Sequence, residues 1–402
     1  MYVRLESDTR GSDRMKERLQ MKKNRLLYWL LILALTISGC AGRQNQAPAT
    51  ASSQPSVESS DQEPDEGGEY PTIMPSNSVK MPVTWANLNL SGKLVYSLGA
   101  LDKNNNLIVQ LQSLDLSTGD LNVLYSAIQD GWIYYTGVSP DGKEIAMSYS
   151  LPLQSDPHVV QALYGMPLDL SQPPQLLFMP PAREDQYIQV EWSPDGTYIY
   201  YTYVNYLSPS DQTRLYPLYK IFRMKYPAGQ PKLIAEEAYW PRLSPDGSRL
   251  VYVSLNPVSG EQHLNIADAD GGKAQNVALS GPYIPHDKTS PIFSPDGKSI
   301  IFGGNVGGES YEPNWFAKIM GIQSARAEGK PSDWFSVPVG GGEVTQLTHL
   351  RAPYLYGGLS PDRKHIVSYG GDELFIMNPD GSALTILISG LHSFYGTVSW
   401  IQ

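Results

Sequence analysis

Histidine and carboxylate side chains are the first candidates for chemistry in this chain of 402 residues. No two histidines stand at H-x-H or H-E-x-x-H spacing, which would place two imidazoles on one zinc ion. We therefore predict no metal site and no cofactor. His286, beside Asp287 and Lys288, is the histidine best placed to reach a ligand. The six histidines are His158, His263, His286, His349, His365 and His392.

The nucleophile motif of α/β-hydrolases is also missing from the sequence. There is no G-x-S-x-G, the turn that presents the serine of α/β-hydrolases. The stretch Asp268–Gly272 is faintly similar to a calcium-binding loop, but Asp-Gly is also ordinary turn chemistry of a hairpin. We therefore expect a non-enzymatic protein.

A lone cysteine, Cys40, ends a pattern that is typical of bacterial lipoproteins. A basic segment at residues 22–25 precedes the apolar run Leu26–Leu35, and Ile-Ser-Gly-Cys follows. The run is shorter than the ~20 apolar residues that a membrane span needs, and small residues before the cysteine suit signal cleavage. We therefore interpret residues 1–40 as a lipoprotein signal region with a start at Met21, cleavage before Cys40 and a lipid on its thiol.

A repeated tetrapeptide organises the rest of the chain. Ser-Pro-Asp-Gly occurs four times, and a fifth copy has Arg363 in place of Gly; the five copies start at Ser139, Ser193, Ser244, Ser294 and Ser360. A period near fifty residues is typical of propellers and repeat arrays. Pro fixes φ in a tight turn, Asp bonds to nearby amides, and Gly supplies a left-handed residue. A left-handed Arg363 costs about 1–2 kcal/mol, so we expect a different turn in that copy.

Each copy lies between two stretches that alternate apolar and polar residues, which predicts a β-hairpin. A second hairpin follows each first one, as at Leu374–Ile388. Two hairpins make a four-stranded antiparallel blade, with strands A to D from the axis outward. Leu90–Tyr96 and Gly396–Trp400 read as two halves of one further hairpin. We therefore predict an all-β, six-bladed β-propeller over residues 81–402, closed by pairing of its N- and C-terminal strands.

The Ser-Pro-Asp-Gly copies resemble the Pro-Asp propeller repeat of TolB-like proteins, whose six-bladed domain is similar to the propellers of prolyl oligopeptidases. The resemblance covers roughly residues 83–402 and implies the fold, while the same architecture hosts unrelated activities. It also implies a structural part in an envelope complex as one alternative function. A hydrolase domain of the oligopeptidase type has no counterpart in the sequence.

Function is expected on the face opposite the Ser-Pro-Asp-Gly turns, where B–C and D–A connections meet. The long connections fall there, at Ser150–Val160, Tyr206–Pro217 and Gly303–Asp333, and loops on a rigid scaffold commonly carry binding sites. Most of the 26 Tyr and eight Trp suit strands. The candidate binding residues are those assigned to connections of this face: Trp132, Tyr187, Tyr239, Trp240, His286, Trp315 and Tyr354.

Three functions agree with these features. The first is a monomeric, lipid-anchored propeller that binds an envelope or extracellular protein, peptide or glycan. The second is a metal-assisted polysaccharide lyase or hydrolase at the channel, for which only His286 and His349 lie in suitable connections. The third is the structural component of an envelope complex. Convergent His, Asp and Glu groups favour the enzyme, and an uncharged aromatic groove favours the binder.

The segment before the repeats has its own composition. Residues 41–80 are rich in Gln, Ala, Ser and Pro and then in acidic residues, which predicts a disordered acidic tether. Removal of residues 1–39 takes away eight Lys or Arg and four Asp or Glu, so the formal charge changes from −10 to −14. A mature protein with this negative charge repels nucleic acid and anionic lipid headgroups. We expect the protein on the extracytoplasmic side of a cell membrane, attached by its lipid alone.

We expect Cys40→Ser to release the protein from the membrane fraction or to block its processing. The reason is that the thiol of Cys40 carries the predicted lipid. Cell fractionation and gel mobility of the variant and the parent measure the effect. A variant that fractionates and migrates like the parent would contradict the assignment.

Overall fold

The computed structural model describes residues 79–101, 107–127, 131–153, 156–182, 185–206, 216–307, 330–353, 355–389, 391 and 394–402. All of them belong to one compact unit, Gly68–Gln402. The predicted signal region and almost all of the predicted tether lie outside the described residues. No described helix is long and apolar enough to cross a membrane.

The first group of strands begins within the segment predicted as tether. It consists of β1 (Val79–Lys80), β2 (Lys93–Leu101), β3 (Leu107–Asp115) and β4 (Asp120–Ser126), with a 3-10 helix at Ala86–Leu88. The order in the sheet is β1-β4-β3-β2. Since Val79 pairs with Leu121, the prediction of a tether up to residue 80 is wrong at its last two residues.

The second and third groups share one sheet. The second contains β5 (Trp132–Val138), β6 (Glu144–Leu153), β7 (Asp156–Pro167) and β8 (Gln175–Phe178). The third contains β9 (Asp185–Trp192), β10 (Tyr198–Asn205), β11 (Leu218–Lys225) and β12 (Lys232–Glu236). A single parallel pair, Gln161 with Gln186, joins them. The predicted connection Ser150–Val160 is wrong, because β6 and β7 continue as a paired hairpin through most of it.

The fourth and fifth groups repeat the same antiparallel order. The fourth has β13 (Ala238–Leu243), β14 (Arg249–Leu255), β15 (Gln262–Asp268) and β16 (Gln275–Asn276). After β17 (Leu279–Ser280), the fifth has β18 (Lys288–Phe293), β19 (Ser299–Asn305), β20 (Pro331–Pro338), β21 (Gly342–Glu343), β22 (Thr345–Gln346) and β23 (Ala352–Pro353). Parallel pairing of β17 with β21 links the two groups at their outer edges.

The last group returns the chain to its first strands. It contains β24 (Tyr356–Leu359), β25 (Ile366–Gly370), β26 (Glu373–Met377) and β27 (Thr385–Ser389), and β28 (Phe394–Ile401) follows. β28 pairs with β2, so that Lys93 lies opposite Ile401 and Tyr96 opposite Val398. The predicted pairing of the N- and C-terminal strands is therefore present.

The five Ser-Pro-Asp turns share one hydrogen-bond pattern. In the copy at Ser193, its hydroxyl donates to Asp195 at 2.5 Å and accepts the amide of Tyr198 at 2.8 Å. Asp195 also accepts the amide of Thr197 at 3.0 Å, as the sequence predicted. Arg363 has φ 60°, close to the 69° of Gly196. The expected different turn in the fifth copy is thus wrong: Arg363 adopts the left-handed conformation.

The first strand of several groups carries a β-bulge at one repeated position. β5, β9, β13 and β18 each have one more residue than their partner strand there. Gln189, Trp240 and Ser290 adopt positive φ at these bulges, at 57°, 59° and 44°. A bulge turns the following side chains and increases strand twist. The residues after each bulge therefore take a common orientation in the different groups.

Apolar cores lie between consecutive groups of strands. The core between the second and third groups joins Ala146 and Leu163 to Tyr187 and Trp192. A comparable core joins Leu94 and Tyr96 of the first group to side chains of the last group. The inner strands β5, β9, β13, β18, β24 and β28 also contact one another in this order, and β28 contacts β5. Burial between groups thus supplies the main stabilisation.

We expect deletion of Gly396–Gln402 to lower the free energy of unfolding by at least ~3 kcal/mol, the usual cost of emptying a large core position. The deletion removes the partner of β2 and the buried side chain of Val398. Urea unfolding followed by circular dichroism measures it. Deletion of the exposed Gln402 alone is the control. Equal midpoints for the two deletions would contradict the proposed role of β28.

Candidate functional site

Two of the predicted binding residues belong to the apolar cores. Tyr187 lies within β9 and is 3% exposed, with its ring 5.1 Å from that of Tyr201. Trp240 lies within β13 and is 4% exposed. Their assignment to surface connections is wrong, because only Glu237 separates β12 from β13 and β9 begins at Asp185.

Trp240 belongs to an aromatic cluster formed by three separate inner strands. Its ring centroid lies 5.8 Å from that of Tyr135 on β5 and 5.3 Å from that of Tyr356 on β24. The bulge frees its backbone amide from the ladder, and Gln189 accepts that amide at 2.7 Å. Burial raises the pKa of the Tyr135 phenol well above its usual value. We call Tyr135, Trp240 and Tyr356 the axial cluster.

Half-exposed tyrosines continue this cluster at the strand ends opposite the Ser-Pro-Asp turns. Tyr239 and Tyr219 have ring centroids 5.0 Å apart, and Tyr206, which is 52% exposed, follows β10 directly. Burial raises the pKa of Tyr219 to about 12, and the nearby Tyr206 adds to the shift. We call Tyr206, Tyr219 and Tyr239 the tyrosine mouth. Of these, the sequence predicted Tyr239 alone.

Trp132 starts β5 and is half-buried. Its indole stacks on Tyr134 with centroids 6.2 Å apart. The prediction that Trp132 lies in a connection is wrong by one residue, because Trp132 is the first residue of β5. Tyr134 directly precedes Tyr135 of the axial cluster in β5. Trp132 therefore lies near the axial cluster at the end of β5 that faces away from the turns.

His286 is exposed in the connection before β18, as the sequence predicted. Its Nδ1 lies 2.9 Å from Asp287, whose other carboxylate oxygen lies 2.5 Å from the ammonium of Lys330. Burial raises the pKa of Asp287, but hydrogen bonds from Lys330 and His286 outweigh it, and the pKa is lowered. Burial raises the pKa values of Tyr239 and Tyr283, and the charge of Asp287 adds to both shifts. The mouth thus includes a carboxylate beside its tyrosines.

Three predicted site residues, Cys40, Trp315 and Tyr354, lie outside the described residues. Among the described residues, no third His, Cys, Asp or Glu joins His286 and Asp287 to form a metal-binding group. Within the described part of the chain, no group of three or more His, Cys, Asp or Glu side chains could hold a metal ion.

A polar cavity opens on the turn side of the axial cluster, and the sequence interpretation missed it. It has a narrow part of about 140 Å³ and an outer part of about 290 Å³ that reaches the Ser-Pro-Asp turns, and the two parts share lining residues. Glu191 and Arg242 line both parts and form an ion pair of 2.6 Å. Burial raises the pKa of Glu191, and the Arg242 guanidinium opposes that shift. We call this space the turn-face cavity.

The repeats do contain a signal for the ion pair. Glu191 and Arg242 each stand two residues before the serine of a turn, and this position lines the cavity in several groups. The equivalent residues elsewhere are Gly137, Ile292, Gly358 and, in the imperfect terminal half-hairpin, Ser399. Alignment of the copies would therefore have identified the two charged residues at an otherwise uncharged position.

Comparison with solved structures identifies the fold. The chain is similar to TolB from Acinetobacter baumannii, with a TM-score of 0.52, 18% sequence identity and coverage of 77% of this chain and 66% of that one. A TolB-type structure from Agrobacterium tumefaciens gives 0.47, 16%, 78% and 99% for the same quantities. At such identities the likeness shows the fold alone. The chain has a TolB-like β-propeller fold.

Comparison of sequences adds little about activity. No family model matches the chain. The uncharacterized peptidase YuxL of Bacillus subtilis (strain 168) is 31% identical over 144 residues, which are 32% of this chain and 21% of that protein. The chain therefore matches about a fifth of that relative's length.

We expect Trp240→Ala to lower the free energy of unfolding by about 3–5 kcal/mol, because it empties the centre of the axial cluster. Tyr206→Ala should change it by less than ~0.5 kcal/mol, as is usual for an exposed side chain. Urea unfolding of both variants provides the comparison. A Trp240→Ala protein as stable as Tyr206→Ala would contradict the assignment of Trp240 to the core.

Proposed function

We propose that this chain is a lipid-anchored, non-enzymatic binding propeller of the bacterial cell envelope. Its six blades form a closed ring, and the tyrosine mouth binds a protein, peptide or glycan ligand. A lipid on Cys40 holds the monomeric propeller on the extracytoplasmic side of the membrane, and residues 41–78 act as the tether.

Packing between the groups of strands supports the closed ring. Each group shares a core with the next, and the last shares one with the first. The inner strands contact one another in sequence order, and β28 returns to β5. The pairing of β28 with β2 satisfies an edge that an open array would leave exposed. Six blades with β28 as the innermost strand of the first group account for all these contacts.

The tyrosine mouth is the observation that carries the binding function. Tyr219 and Tyr239 pack against each other, and Tyr206 presents half of its surface to solvent. Tyrosine offers a large rigid ring and a hydroxyl at a low entropic cost, and it is enriched in binding surfaces. Asp287, which contacts His286 and Lys330, adds a charged group whose field reaches Tyr239. Rings and polar groups together suit a glycan or a peptide.

The anchor rests on the sequence pattern around Cys40. The mature chain has a formal charge of −14, so electrostatic attraction does not contribute to its attachment. The diacyl-type lipid alone supplies the membrane affinity. Anionic lipid headgroups would repel a protein with this negative charge. The tether then sets the distance between the membrane and the ligand.

Site-specific photo-crosslinking in intact cells tests the binding function. The anchored protein with p-benzoylphenylalanine in place of Tyr206 should form a discrete adduct, and mass spectrometry assigns its class. Tyr219→Ser in the same protein should reduce the adduct about tenfold, equivalent to ~1.4 kcal/mol of binding free energy. The ring of Tyr219 supports Tyr239 and is expected to contact the ligand.

Tyr198→Ser provides the matched control, because Tyr198 is a half-buried tyrosine at the turn end of β10. This variant should leave the adduct unchanged. An adduct that persists in Tyr219→Ser, or that forms equally with the crosslinker at Lys298 on the turn side, would contradict the proposal. Ligand turnover that a chelator abolishes would replace the binder with the metal-assisted enzyme.

A further inference from the structure

The turn-face cavity contains a charged pair whose hydrogen-bonding capacity is only partly used. Arg242 donates to Glu191 at 2.6 Å and to the carbonyl oxygen of Gly357 at 3.1 Å. Within the described part of the chain, the side chains of Arg242 and Glu191 form no other hydrogen bond. A guanidinium has five N–H donors and a carboxylate has two oxygens. Several donors of Arg242 and one oxygen of Glu191 are therefore available to a ligand.

A second polar group lies at the narrow part of the cavity. Thr136 is 1% exposed and lines this part, and its hydroxyl has no hydrogen-bond partner among the described residues. A buried hydroxyl without a partner is destabilising. Such a group is normally paired with protein, water or a ligand. An unpaired hydroxyl is thus buried in the wall of the narrow part of the cavity.

The charges select the kind of ligand. A simple anion meets Arg242 but is repelled by Glu191, and a simple cation meets Glu191 but is repelled by Arg242. A molecule with an N–H donor and a carboxylate on the same carbon matches both, because its carboxylate accepts from Arg242 while its N–H donates to Glu191. The Glu191–Arg242 pair can stay intact in such a complex. No buried charge is then left without a partner.

The outer part of the cavity has a different character. Pro194, Pro245 and Pro361 of three turns line it together with Phe293 and Trp400. These apolar surfaces suit the side chain and the preceding residue of a ligand whose terminal group occupies the inner part. The two parts share Glu191 and Arg242, so one ligand can fill both.

We propose that the turn-face cavity binds an α-amino or α-amido carboxylate, which is either a free α-amino acid or the carboxyl terminus of a peptide. The cavity lies at the opposite ends of the inner strands from the tyrosine mouth. It is therefore a second site, and its occupancy does not depend on the function proposed above. Capture of a terminal carboxylate is an established mode of peptide recognition.

Titration calorimetry on the full chain in detergent tests this site with defined probes. The probes are N-acetyl-trialanine with a free carboxylate, its C-terminal amide and free L-alanine. The acid peptide should bind at least tenfold more tightly than the amide, because only the acid supplies a carboxylate to Arg242. This comparison uses the unmodified protein and does not depend on the folding of a variant. Binding of the amide as tight as that of the acid overturns the proposal.

The double variant Glu191→Gln with Arg242→Gln tests the residues. It replaces the ion pair with two amides of similar shape, so no unpaired charge remains, and it should weaken binding of the acid peptide at least tenfold. Lys220→Gln with Glu236→Gln removes the more exposed 2.9 Å pair at the outer strands β11 and β12 and should leave binding unchanged. Undiminished binding by the first variant, with unfolding midpoints unchanged, overturns the proposal.

The two sources of ligand are distinguished in the same experiment. Saturable binding of free L-alanine identifies a site for free amino acids, and binding of the acid peptide alone identifies a site for chain termini. Absence of saturable binding by both probes overturns the proposal. Tyr219→Ser should leave these affinities unchanged, so loss of the tyrosine-mouth function and loss of this site are separate results.

Discussion

The fold depends on one hydrogen-bonded turn that occurs five times. In each copy the serine hydroxyl donates to the aspartate and accepts the amide five residues later, as Ser244 does with Asp246 and Arg249 at 2.6 and 2.9 Å. One hydroxyl therefore fixes both the turn and the start of the next strand. Successive side chains of a strand point to opposite faces, so a shift by one residue would exchange the buried and the exposed face. By fixing the start of the strand, this contact therefore determines which face is buried.

Strand register alone does not orient the side chains towards the axis of the propeller. The β-bulges also contribute to that orientation. The extra residue in β9, β13 and β18 adopts positive φ without being glycine, which costs about 1–3 kcal/mol at each site. Contacts between groups offset this cost: Gln189 accepts the amide of Trp240 at 2.7 Å, and Ser290 accepts the amide of Gly357 at 3.2 Å. The bulge that turns one strand inward is therefore stabilised by the strand of another group. Both the axial cluster and the turn-face cavity result from this arrangement.

Most of the fold could be predicted from the sequence, because its determinants are local. Hairpin turns at Ser139 or Ser294 need only four residues, and the alternating pattern that follows each turn defines the strand. The bulges were not predictable in the same way, since their positive φ falls on Gln189, Trp240 and Ser290, which are ordinary strand residues in type.

The misassigned residues have a common physical cause. The sequence pattern predicts a loop between the end of one group and the start of the next. In the structure, Glu237 alone separates β12 from β13. Tight connections leave aromatic side chains in the cores between groups. The sequence places Tyr206 in the connection Tyr206–Pro217 without distinguishing it from its neighbours there, and only packing between two groups brings Tyr219 against Tyr239.

The Glu191–Arg242 pair is better explained by ligand recognition than by stability. The same repeat position holds Gly137, Ile292 and Gly358 in other groups, so the fold requires no charge there. Replacing a buried ion pair with apolar groups of similar volume is often neutral or stabilising. A stable propeller could therefore carry an aliphatic residue at both sites, as it does at Ile292. Donors of Arg242 and an oxygen of Glu191 remain unused beside the cavity. A ligand of matching polarity in that cavity would explain why both positions carry a charge.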